Sequence, residues 1–596
     1  MAAPPSVSPP IRAISEKRWF LPYLRREAPR LATGIGLVCL TNVFQLSLPY
    51  LSKRAIDALQ ASQASQVRWL AYLIAAVALT QAVIRVFSRM YLLDAGRQVE
   101  FKLRGDLFQH LTRMTPKFYG RIGVGDVMSR CVNDLGQVRL LIGPGLLMLV
   151  NAVAAYAVAL PAMLGLDPLL TAFALGPYVP LLFLLQRQAK QVFIGMRAVQ
   201  DELGVLSVRI QENLAGQLSV KSFGREASEQ VAFAERNDAY LNANLGLARA
   251  RATLQLLFGA IGGLGAVAVL GVGGYAVIHG RLTLGGYTAF SGYLAELSMR
   301  SSMLGFFLAG WQRGRASLAR VREVMEEAPE FVDPAPGIQR RLAGDIDVSE
   351  LTVRYGERRV LDGVSLRVAR GHSLAVVGKT GAGKTTLLSA LARLVDVPAG
   401  SVRYDGLDVR DWPLSDLRRQ VGLVPQEPFL FSATLGQNIA LGRPEASTAE
   451  IEAAAEAARL AVDLRALPEG LATEVGERGV TLSGGQRSRT ALARALLVDP
   501  RVLLLDDPFA NVDADTARAL WEEIEAAASG APADQRPTRI LVTHRLALAM
   551  ACDEIAVLEN GKLVERGGHD DLLARGGAYA RLFVREQILE QLKEVG

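Results

Sequence analysis

The segment Gly378-Lys379-Thr380-Gly381-Ala382-Gly383-Lys384-Thr385, followed by Thr386, has the residue types needed to hold a triphosphate. Its glycines let successive backbone N–H groups turn towards phosphate oxygens, and the helix expected after it presents its positive end to the same anions. Lys384 supplies a long, mobile cation for the β- and γ-phosphates, and the Thr385 hydroxyl a hard oxygen ligand for Mg²⁺. The apolar run Ser373–Val377 leads into the loop as a strand, a context that a chance glycine-rich turn would lack. A second run, Val502-Leu503-Leu504-Leu505-Asp506, reads as a buried strand ending on a carboxylate that would join the coordination of the same Mg²⁺.

These groups need a rigid frame, and from Asp345 onward short β-rich runs alternate with helical patterns, the signature of an α/β domain. The residues before it have another character. The chain is 50% hydrophobic, and the apolar residues concentrate ahead of about residue 312. Uncharged runs at Leu31–Ser52, Leu140–Leu166, Pro168–Gln186 and Ala252–Gly280 approach or exceed the roughly 20 residues that cross a bilayer. Trp69–Ile84 is shorter but continues as a helical pattern through Tyr91, and Leu282–Gln312 is broken only by Glu296 and Arg300. Six spans is the expected number.

Net charge is +7, which alone could suggest nucleic acid, but the basic residues flank the apolar runs as membrane loops do, so no nucleic-acid partner is expected. Arg12, Lys17, Arg18, Arg25, Arg26 and Arg30 precede the first span and place the N-terminus in the cytoplasm. The charged, helix-prone segments Arg85–Arg139 and Arg187–Arg251 then extend on the cytoplasmic side, while the loops at Asp167 and Arg281 are short. Cys39, Cys131 and Cys552 are too scattered for a disulfide framework or a zinc cluster. No signal peptide or peptidase domain is read ahead of the spans. The expected organisation is a cytoplasmic segment with an elbow helix (1–30), an all-α membrane domain (31–312), a linker with Pro334 and Pro336 (313–344), and an α/β P-loop ATPase domain (345–596).

Leu482-Ser483-Gly484-Gly485-Gln486, followed by the helix-prone Arg487–Leu497, resembles the signature motif of ABC transporters, which other P-loop ATPases lack. With it the chain resembles an exporter-type half-transporter over nearly its whole length. That resemblance implies two ATPase domains packed head to tail, with Ser483, Gly484, Gly485 and Gln486 acting in trans on ATP held by the opposite subunit. It implies further roles in chain order. Tyr355 would stack on adenine, and Gln426 in Val424-Pro425-Gln426-Glu427 would touch Mg²⁺ beside Thr385 and Asp506. Thr473–Gly479 resembles the X-loop of exporters, Asp513 fits the D-loop, and His544 fits the histidine that contacts the γ-phosphate. Phe118-Tyr119-Gly120-Arg121 and Glu212-Asn213-Leu214-Ala215-Gly216 resemble the two coupling-helix regions. The stretch Gly561–His569 also follows the exporter pattern.

One position departs from the family. The residue after Asp506, normally a Glu that orients the attacking water, is Asp507. Its carboxylate is withdrawn by one methylene, and a misplacement of roughly 1 Å can cost on the order of 100-fold in rate. The resemblance is therefore to the degenerate-site chain of heterodimeric bacterial multidrug, lipid or peptide exporters. Implied partners are ATP, Mg²⁺, a second half-transporter, membrane lipid and a transported small molecule, lipid or peptide, in the bacterial inner membrane. An importer on the same fold, a homodimer tolerating Asp507, a soluble ABC ATPase and a channel regulator are the alternatives, and six spans argue against the soluble protein. Glu296 and Arg300, in the sixth span, fit an ion pair that keeps the helix in the membrane, a substrate-facing role, or a span boundary that lies elsewhere.

Overall fold

The computed structural model describes residues 19–176, 178–331, 340–476, 479 and 482–595. Arg12, Lys17, Arg18, Pro334, Pro336, Glu477 and Arg478, invoked above, lie outside the described residues. The described chain falls into two units, one within residues 1–112 and 124–327, the other within 113–123 and 328–596.

The first unit is helical. The predicted span Leu31–Ser52 lies inside the helix Ala28–Gln60, preceded by a separate short helix, Leu21–Arg26. Trp69–Ile84 lies inside Ala64–Leu111, which runs past Tyr91 into the segment Arg85–Arg139 read as helix-prone. At 48 residues this helix is about 72 Å long, more than twice the roughly 30 Å hydrocarbon thickness. These two helices and Val124–Leu166 are long and apolar enough to cross a membrane, and Gly263–Ile278 is a shorter apolar helix. The remaining expected spans fall on Pro168–Leu175 with Tyr178–Ala215, on Glu226–Ala268 and its continuation, and on Leu284–Glu326.

Short loops close the helix ends by side-chain capping. The Asp167 carboxylate accepts from the Leu170 N–H at 2.9 Å and from Arg281 at 2.8 Å, so two of the short loops are tied together. Thr283 caps the last long helix by accepting from the Gly286 N–H at 2.9 Å. Large apolar side chains such as Trp69, Tyr72, Leu79 and Val83 remain exposed on this unit, a surface suited to lipid or a partner.

The second unit holds two sheets, with strands β1 (Ile346–Tyr355), β2 (Arg358–Val368), β3 (Ser373–Val377), β4 (Val402–Tyr404), β5 (Leu407–Asp408), β6 (Val421–Val424), β7 (Val502–Asp506), β8 (Thr538–Val542), β9 (Glu554–Glu559) and β10 (Lys562–Gly567). The smaller sheet is antiparallel, in the order β2-β1-β4-β5. The larger runs β10-β9-β3-β8-β7-β6, parallel except for β10. β3, β7 and β8 are buried at every position, as near-continuous apolar strands must be when helices cover both faces. Register sets Val376 and Asp506 each beside Val542, and Val424 beside Leu505. The carboxyl ends of β3, β8, β7 and β6 therefore share one edge, where open α/β sheets bind ligands.

Candidate nucleotide site

The loop after β3 turns on Gly378, whose φ of +151° few other residues adopt, and a Cβ there would sit 2.2 Å from the Leu558 carbonyl oxygen. The loop is braced from behind by the β9–β10 hairpin. Asn560 and Gly561, both at positive φ, form its two-residue turn, and the Gly561 N–H donates to the Ala382 carbonyl at 3.1 Å. In the sequence Gly561 stands out only as part of a family-like stretch. The Asn-Gly pair between two strands is the available signal for a hairpin.

Lys384 opens the helix Lys384–Leu391 and is buried, donating from Nζ to the carbonyls of Gly378 at 2.8 Å and Lys379 at 3.1 Å. Burial pushes its ammonium pKa down, while Asp506 and Asp507 pull it back up. Lys379, Thr380, Gly381 and Thr385 are exposed along the loop, Ala382 and Gly383 are buried, and Thr386 is half-buried. Thr385 hydrogen-bonds the Asp506 carboxylate, whose pKa burial nevertheless raises. A hydroxyl and a carboxylate side by side are hard oxygen donors, and this pair fits an ion such as Mg²⁺.

Asp507 follows at φ +46°, its N–H donating to the Val542 carbonyl at 2.8 Å. Its carboxyl pKa is raised by burial, against the pull of His544, Arg545 and Lys384 and a hydrogen bond from the His544 backbone. The pKa of His544, partly exposed beyond β8, is lowered by desolvation and then by Lys384. Lys384, Thr385, Asp506, Asp507 and His544 thus form one cluster. Gln426 is exposed just beyond β6 at the same sheet edge, and Tyr355 ends β1 with its ring partly exposed.

The signature residues stand apart from that cluster. Ser483 is exposed at the N-terminus of the helix Gly484–Leu497 and is closed into a capping box with Gln486. Its Oγ accepts from the Gln486 N–H at 3.2 Å, and Gln486 Oε1 accepts from the Ser483 N–H at 2.8 Å. Cβ atoms on Gly484 or Gly485 would meet Asn511 within 3.3 Å, so the D-loop packs on the signature of the same chain. Asp513 caps the next helix, accepting from the Thr516 N–H at 2.8 Å.

Two positioning residues carry no motif and escape a reading of the sequence. Arg545 donates to the Val512 and Asp513 carbonyls at 2.5 and 3.3 Å, holding the D-loop to the loop that bears His544. Asp463 accepts from Gln486 Nε2 at 3.2 Å and from Arg489 at 2.7 and 3.0 Å, so Gln486 is fixed at both ends of its amide. Asp463→Ala should lower ATP turnover of the assembled transporter about tenfold through a looser signature terminus. Nucleotide affinity at this chain's own phosphate loop should stay unchanged, and Asp463→Glu should restore much of the rate. Equal losses of affinity and turnover would mark Asp463 as merely structural.

Residues 361–510 match the family model for the ABC transporter ATPase and residues 31–301 that for the ABC transporter transmembrane region. The chain belongs to the ABC transporter family, as an ATP-driven exporter half with fused membrane and ATPase domains, hydrolysing ATP to drive transport. It is 32% identical over 585 residues to the multidrug resistance-like ATP-binding protein MdlA of Escherichia coli, covering 97% of each chain. It is 29% identical over 564 residues to the ATP-dependent lipid A-core flippase of Syntrophus aciditrophicus, covering 94% of this chain and 93% of that one. Among solved structures, a bacterial Atm1-family ABC exporter with ATP bound superposes with a TM-score of 0.77 at 28% identity, over 94% of this chain and 98% of the other.

Proposed function

We propose that this chain is the slow-site subunit of a heterodimeric bacterial exporter, set in the cytoplasmic membrane with its N-terminus and ATPase domain in the cytoplasm. Asp507 carries this reading: its short carboxylate is buried and tethered by the His544 backbone N–H, so it is held back from the position a Glu would reach. The exposed, well-capped Ser483 supports the other half, since an intact signature completes a faster site on the partner.

In that assembly Lys384 and the loop N–H groups hold the triphosphate, Tyr355 packs on the base, and Thr385, Asp506 and Gln426 hold Mg²⁺. The bound ion would offset the charge of the β- and γ-phosphates. Asp507 orients water poorly at this site. His544 faces the γ-phosphate, and Asp513 lines the junction between subunits. Leu214, Leu218 and Phe223, exposed around the second coupling segment, offer an apolar knob for the partner's ATPase domain. A small molecule, a lipid or a peptide is the cargo.

Purification with the partner subunit tests this. Changing the partner's Glu to Gln should nearly stop turnover, whereas Asp507→Asn should cost no more than about twofold, and Asp507→Glu should speed this site by up to about 100-fold. Equal losses from the two carboxylate-to-amide changes would overturn the reading. So would full transport-coupled activity from a homodimer of this chain.

A further inference from the structure

Five polar side chains from three membrane helices meet in one seam of the first unit. Gln45 is its hub, accepting from Arg85 at 2.6 Å and from Gln81, and donating to Glu296 Oε1 at 2.8 Å. Arg300 reaches the other oxygen of Glu296 at 3.4 Å. The seam lies deep. Asp57 Oδ1 accepts from the Gly285 N–H at 3.1 Å, which levels one end of the two helices. Within the uncharged run Leu31–Ser52, Gln45 lies roughly 21 Å along the helix from one end and roughly 10 Å from the other, and Glu296 lies well inside the run Leu282–Gln312, so both fall within a hydrocarbon layer of about 30 Å. Gly292 lies one turn before Glu296, and a methyl group added there would come within 3.3 Å of the Pro49 ring, so the helices close over the seam on that side.

The charges do not balance. Glu296 and Arg300 already form a complete i, i+4 pair, both side chains being 18% exposed. Arg85 adds a second guanidinium whose side-chain partner, among the described residues, is the neutral Gln45 carbonyl. Arg300 Nε is buried with no partner among those residues. A pair kept only to let a helix cross the membrane needs neither the extra cation nor the free donor, and intramembrane charges of this kind mark transport pathways. Leu46, Leu294 and Leu297 of the buried apolar cluster flank the seam in sequence.

We propose that this seam binds an amphiphilic substrate bearing one anionic headgroup, a carboxylate or a phosphate, which neutralises the surplus positive charge while its apolar body lies along the neighbouring helices. The proposal rests on the exporter assignment and is independent of whether the dimer is mixed. It assigns Arg85, Gln81 and Gln45 to the site and makes Glu296 a competitor for the substrate's charge.

The test uses the intact transporter in nanodiscs of zwitterionic lipid and two matched fluorescent pairs: pyrenedodecanoate with its methyl ester, and pyrene-labelled phosphatidylglycerol with the corresponding diacylglycerol. At least one anionic probe should bind about tenfold tighter than its neutral counterpart. Discrimination in the first pair identifies a free amphiphile, and in the second a lipid headgroup. Arg85→Gln should bring the ratio close to one, and Arg85→Lys should keep most of it. Glu296→Gln should raise it, by releasing Arg300. Equal binding within both pairs overturns the proposal, as does a Glu296→Gln protein that loses anion affinity in step with its melting temperature.

Discussion

Replacing Lys384 by Ala should lower ATP affinity at this chain's own phosphate loop by at least about 100-fold and, in the proposed heterodimer, leave the partner's loop without comparable change. Lys384 is buried behind the loop and spends its donors on two loop carbonyls, so it shapes the cradle even before a phosphate arrives. An alanine leaves those carbonyls without their donor and the phosphates without a cation that water cannot replace in a buried site. Photolabelling with an azido-ATP, read separately on each subunit, gives both affinities. Unchanged labelling of this chain would remove the phosphate-loop assignment.

Ser483→Arg should reduce turnover of the complex by more than about 100-fold, the scale of losing an oriented donor at a developing charge. The substitution breaks the capping box and fills the exposed helix terminus with a long side chain. ATP binding to this chain's own loop should survive, because Ser483 is bonded to Gln486 and the adjoining Gly484 packs on Asn511 rather than on that loop. Trapping with vanadate would locate the loss. A defect confined to this subunit's nucleotide would contradict action in trans.

The nucleotide residues are legible because the chemistry is written in short contiguous runs. Gly378 to Thr386 is a single loop and turn, and Val502 to Asp506 one strand, so spacing points to them as candidates, while Asp507, Gln426 and His544 are read only through the family resemblance. The membrane seam is half legible. Glu296 and Arg300 stand out as charges inside an apolar run, but Arg85 reads as the end of the run Trp69–Ile84. A hydropathy profile treats an arginine as a boundary. In the fold the helix continues to Leu111, and the guanidinium is accommodated by Gln45, whose place beside it depends on how two helices pack. Asp463 escapes for the same reason, since its partners Gln486 and Arg489 lie 23 and 26 residues further along the chain.

The length of Ala64–Leu111 has a mechanical consequence. A continuous helix of 48 residues, without a proline to bend it, acts as a stiff rod of about 72 Å. A tilt of only about 5° displaces one tip by roughly 6 Å relative to the other, about one helical turn. Arg85 sits near the middle of that rod, where the same tilt moves it by about half as much, enough to separate it from Gln45. Small rotations of this helix therefore translate into the making or breaking of the single hydrogen bond between Arg85 and Gln45, with no need for the helix itself to unwind.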